Sequence, residues 1–248
     1  MNYERTSNPV FRDKYFDVAV EDGCQMTVAG TVTKTSLLLM LTVLAAAFAW
    51  TRKYASFDDV LSKAVLFSML AFGCSLFTCF KPLLAKYSAP LYAILEGLVL
   101  GSLSLIFEMK YHGVVIQAVA LTFGVFSAML FIYRTGLIKV NEKFAIGLFA
   151  ATAGIAIVYI MSWLFSLFGG SGFKFLYGSS NFSIGFSVFV VIIAALNLVM
   201  DFDYIVKQSK AGVHKDMEWF ASFGLMVTLI WLYMEILRLL VKLNERRR

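Results

Sequence analysis

Apolar residues run along this chain in seven long stretches, at residues 35–50, 60–80, 91–107, 114–133, 144–168, 182–206 and 220–241, with short polar segments between them. A helix needs about 20 residues to cross roughly 30 Å of hydrocarbon, and these stretches have that length. The first is short, but Gly30 to Thr33 extend it. Trp50, Tyr133 and Trp219 stand at the edges of stretches, where aromatic belts belong. Pro82 and Pro90 bracket the second loop, and Gly169, Gly170, Gly172 and Gly178 mark the fifth as the most flexible. The pattern predicts an all-α membrane protein, a seven-transmembrane-helix bundle spanning residues 34–248, preceded by a polar amino-terminal segment at residues 1–33.

Composition supports this solvent assignment. Apolar residues make up 60% of the chain and charged residues 15%, too little charge to cover a soluble globule of 248 residues. The polar start of the chain has no basic-then-apolar run ending in a cleavage site, so no signal peptide is expected. Cys24, Cys74 and Cys79 form no CxxC pair and read as packing thiols. The net charge of +6 does not point to nucleic acid, because the basic residues are scattered through loops. They concentrate instead in the amino-terminal segment and in loops two, four and six, which places the amino terminus in the cytoplasm. Seven crossings then put Arg246, Arg247 and Arg248 outside, against the same rule. Either six earlier helices fix the topology, the reading favoured here, or the last stretch does not cross completely.

Three stretches hold an isolated acid: Glu96, Asp201 and Glu235. An ionisable group at membrane depth costs about 2.5–3.5 kcal/mol on insertion scales, so acids retained there usually pair, titrate or line a wet path. Asp201 shares a helix face with Asn197, four residues earlier. Two readings are open for it: a hydrated carboxylate near the surface, or part of a polar strip facing the bundle interior. Asp203 is rotated about 200° from Asp201 and shares its face with Lys207, an acid-before-base ion pair at the membrane edge. Glu235 has Trp231 and Arg238 as helical neighbours, and Arg238 could satisfy it within the helix. If Asp201 and Glu235 meet, the two carboxylates titrate as a unit, and their oxygens are ligands suited to Ca²⁺. Glu96 opens a stripe of small residues, Ala93, Gly97 and Gly101, that suits close helix packing; it either hydrogen-bonds across the bundle or lines a cavity. His112 and His214 are the only histidines and lie outside the apolar stretches, so the clusters of an intramembrane hydrolase are absent and no enzyme is expected.

On SNPVF at residues 7–11, MTVAGTVTKT at 26–35, EGLVLGSLS at 96–104, AALNLVMDFDYI at 194–205 and WLYMEILRLL at 231–240, the chain resembles the Bax inhibitor-1 family of seven-helix membrane proteins, and its bacterial YccA-like branch in particular. The resemblance implies a central seventh helix enclosed by the other six. It also implies a pH-sensitive calcium-permeable leak of the bacterial inner membrane, gated by an acidic pair that corresponds to Asp201 and Glu235 and that holds Ca²⁺ transiently. Glu96, Asn197 and Asp203 are then candidates to line the pathway. Lys81 or Lys86, in the second loop, is the possible basic partner. Glu235 stands where better-known members have Asp, and Ser102 where many relatives have Pro. The expected partners are the lipid bilayer, Ca²⁺ and protons, with no resident cofactor. Two other functions are kept: an interaction protein that modulates a membrane protease or stress response through the amino-terminal segment, and a proton-coupled transporter.

Overall fold

The computed structural model describes residues 25–52, 57–168, 176, 178 and 180–247. The SNPVF motif, Cys24, Lys53, Gly169, Gly170, Gly172, Lys174 and Arg248 lie outside the described residues. Seven long helices follow in order: α1 (Val28–Thr51), α2 (Phe57–Phe80), α3 (Ala85–Lys110), α4 (Val114–Arg134), α5 (Glu142–Leu167), α6 (Asn181–Lys210) and α7 (Met217–Arg247). Each is long and apolar enough to cross a membrane. The chain is thus an all-α membrane protein with the expected seven spans, and the helices overrun the apolar stretches because polar residues continue them at both ends. α1 begins at Val28, so residues 28–33 belong to the bundle.

Local chemistry sets several of these boundaries. Thr27 caps α1 by accepting a hydrogen bond from the Gly30 N–H at 2.9 Å, and Asn141 caps α5 through the Phe144 N–H at 2.8 Å. The Glu108 carboxylate accepts from the Gly113 and Val115 amides at 2.6 and 3.3 Å, which satisfies donors at the start of α4. Pro82 opens a short 3-10 turn, Pro82–Leu84, that leads into α3. Pro90 departs from the expectation: it lies inside α3 rather than closing a loop. As the sixth residue of α3 it lacks the amide that would bond the Lys86 carbonyl, and the helix continues through it at the cost of that bond.

α7 is the central helix. It packs against α1, α3, α4 and α6, while α2 stands farther out against α3, and α5 lies along α6. Met226, Leu232 and Leu237 of α7 are fully enclosed, whereas Met69, Phe149 and Phe182 on outer helices project outward as lipid-facing surface. Lipid tails are as apolar as leucine, so apolar burial alone does not drive these helices together; close backbone approach and polar contacts contribute. Gly97 and Gly101 show the first effect. A Cβ at either position would collide with backbone atoms of Thr42 or Ala46, so α1 lies directly on the α3 main chain. Polar contacts supply the second: the Ser222 hydroxyl donates to the Thr31 carbonyl at 2.9 Å, joining α7 to α1, and Ser104 and Tyr233 share a 2.7 Å hydrogen bond between α3 and α7.

α7 has 31 residues, a rise of about 46 Å, so it is long enough for a complete crossing. Of the thiols, Cys74 is half-buried and donates to the Ser88 carbonyl at 3.3 Å, while Cys79 is exposed on the outer surface rather than packed.

Candidate functional site

α6 and α7 are antiparallel neighbours, and their register decides which acids meet. Asp201 lies nine residues before the end of α6, while Glu235 lies eighteen residues into α7. With so short a connection between the helices, Asp201 comes level with the first half of α7, where Thr228 is its polar neighbour. Glu235 lies seven residues beyond Thr228, about 10 Å farther along the axis. Its carboxylate accepts from Arg238 Nη1 at 2.8 and 2.9 Å, from the Tyr159 hydroxyl of α5 at 3.2 Å, and from Trp231 Nε1 at 3.3 Å. The structure therefore holds the two acids apart, and the in-helix Arg238 reading describes Glu235.

The environments of the acids differ accordingly. Asp201 is half-buried as a residue, but its Oδ2 is shut off from solvent and lacks a hydrogen-bond partner among the described residues. Asn197, one turn earlier, turns to α5 instead: its amide donates to Thr152 Oγ1 at 3.0 Å and to the Ile193 carbonyl at 2.8 Å. Asp203 pairs with Lys207 at 2.7 Å, as the spacing predicts. Glu96 sits half-buried on α3 with no hydrogen bond to Asp201 or Glu235. Lys81 precedes the 3-10 turn, and Lys86 approaches Asp216 at 3.5 Å, so neither lysine pairs with Asp201 or Glu235. Among the described residues, no three His, Cys, Asp or Glu side chains gather in a group fit for a metal ion.

One constellation went unread in the sequence. Glu218, in the first turn of α7, is fully buried, and its carboxylate accepts from the Thr27 amide at 2.8 Å, from the Thr27 hydroxyl at 3.0 Å and from Lys34. Gly30 faces the same carboxylate so closely that a Cβ there would overlap it. Beside this clamp the chain entering α1 lies on the α6–α7 connection: Gln25 bridges His214, the Met26 amide donates to the Val213 carbonyl at 2.8 Å, and the Ser209 hydroxyl donates to the Met26 carbonyl at 3.2 Å. Glu218 stands outside the seventh apolar stretch and so reads as a loop charge. The MTVAGTVTKT motif carries Thr27, Gly30 and Lys34, but nothing local names their partner.

Comparison with known proteins decides the family. The sequence model described as "Bax inhibitor 1 like" matches residues 8–245, nearly the whole chain. The chain belongs to the Bax inhibitor 1 like family. No curated protein and no solved structure matches it. In this Bax inhibitor 1 like protein the motifs at residues 96–104, 194–205 and 231–240 fall on α3, α6 and α7. Two of the three thus line the helix pair that carries Asp201 and Glu235.

Proposed function

We propose that this Bax inhibitor 1 like protein is a pH-sensitive, calcium-permeable leak of a bacterial inner membrane, its amino terminus cytoplasmic, with Asp201 as the gating acid. The closed-off Oδ2 of Asp201, without a partner among the described residues, carries the reading. As a carboxylate this atom only accepts hydrogen bonds, and as a carboxylic acid it donates one. The two protonation states therefore ask for different arrangements of Asp201 against Thr228, at the interface of α6 with the central helix. The charged state also presents a hard oxygen to a divalent cation, and the neutral state does not. Glu235 serves in this reading as a fixed ion pair with Arg238, tied to α5 through Tyr159.

Ca²⁺ flux into proteoliposomes, compared at pH 5 and pH 8, tests the proposal. Wild type is expected to show a pH-dependent flux, Asp201→Asn to give nearly equal fluxes at the two values, and Asp203→Asn, whose partner Lys207 is at the surface, to keep the dependence. An Asp201→Asn profile that overlays wild type overturns the assignment.

A further inference from the structure

The end of the bundle opposite the Glu218 clamp holds a buried cation without a counter-ion in contact. Lys242 of α7 is only 2% exposed, and its ammonium donates to Ser187 Oγ at 2.8 Å and to the Ser183 carbonyl at 3.4 Å, both neutral acceptors on α6. Among the described residues, no carboxylate lies within ion-pair distance of it. The neighbouring charges are already matched: Arg238 with Glu235 at 2.8 Å, and Lys110 with Glu245 at 3.2 Å. Counting only Lys242, Arg238 and Lys110 with the ion-pair partners Glu235 and Glu245, three cations face two carboxylates, an excess of one positive charge within this group. A buried charge lacking an opposite charge is costly, and the shortfall here is one negative charge.

Lys242, Arg238 and Lys110 all contribute to the wall of a cavity of about 730 Å³ between the ends of α2, α3 and α7. The rest of that wall is mostly apolar, with Phe107 and Val241 among its side chains. A cavity of this size admits a drug-sized or lipid-sized group. A small hydrated anion would satisfy the charge and leave the apolar wall uncovered; a neutral apolar molecule would do the reverse. We propose that this cavity binds a lipid with a singly charged oxyanion headgroup, its negative charge set toward Lys242 and its acyl chain along the apolar wall.

The test uses the full-length protein purified in a neutral maltoside detergent, with binding followed by native mass spectrometry and thermal stabilisation. The probes are lysophosphatidylglycerol, zwitterionic lysophosphatidylcholine and inorganic phosphate. The anionic lysolipid is expected to bind about tenfold more tightly than the zwitterionic one, which corresponds to about 1.4 kcal/mol. Lys242→Met removes the excess charge and should abolish that preference. Glu245→Gln adds a second uncompensated cation and should strengthen it, a gain that a purely structural role for these residues does not produce. Equal binding of the two lysolipids by wild type overturns the proposal, as does a preference left unchanged by Glu245→Gln, which decides the matter even where Lys242→Met fails to fold. Inorganic phosphate that displaces the lysolipid at millimolar concentration overturns the assignment to a lipid.

Discussion

Glu235 and Arg238 form one ion pair whose two ends meet different surroundings. The Glu235 side chain is 2% exposed and the Arg238 side chain 34% exposed. Losing Arg238 therefore strands a carboxylate that water cannot reach, whereas losing Glu235 leaves a guanidinium that can be partly hydrated. Arg238→Met should cost about 3 kcal/mol or more and Glu235→Gln about 1.5 kcal/mol, read as unfolding midpoints in detergent; equal losses would show that hydration does not set the difference. At the clamp, Gly30→Ala pushes a methyl group into the Glu218 carboxylate and should destabilise by about 1–3 kcal/mol. A Gly30→Ala protein as stable as wild type would mean that the carboxylate moves aside freely. The residue pairs legible in the sequence are those within one helical turn, Asp203 with Lys207 and Glu235 with Arg238, because helix geometry alone fixes them. Asp201 with Thr228, and Thr27 and Lys34 with Glu218, depend on the rotation and depth of helices far apart in the chain. Spacing carries no signal for those.

Helices were legible in a similar, uneven way. Seven apolar stretches announce seven spans, since hydrocarbon thickness sets their length; their ends were less legible because caps and polar turns, rather than apolarity, decide them. Pro90 illustrates the point: it forfeits one helical hydrogen bond, yet α3 runs through it. The stripe of Ala93, Gly97 and Gly101 was legible as a packing face, and its partner α1 was not. Gly101→Leu puts a branched side chain where α1 backbone atoms of Ala46 already lie. It should prevent native α1–α3 packing and cost about 3 kcal/mol or more. Gly124→Leu on α4, where a Cβ meets open space, should be tolerated. Thermal unfolding of the two variants side by side checks this; a Gly101→Leu protein as stable as Gly124→Leu would refute the close approach.

For the molecule as a whole, the proposed orientation follows from the Lys and Arg asymmetry and from α7 being long enough to cross completely. A cysteine at Lys139, in the α4–α5 connection, should react with an impermeant reagent only from the cytoplasm, and one at Arg246 only from outside; the reverse pattern would invert the assignment. The central position of α7 was implied by family resemblance, and the structure gives it a physical basis in apolar packing on four neighbours and in hydrogen bonds to Thr31 and Ser104. The seam between α1 and α3 bears on how such an assembly yields. Where side chains interleave, a load can be absorbed by small rotamer adjustments, a little at a time. Main chain resting on glycine has no such intermediate settings. Under bilayer stress that joint is expected to stay shut until it parts altogether, which puts graded compliance in the outer helices and a threshold in this pair.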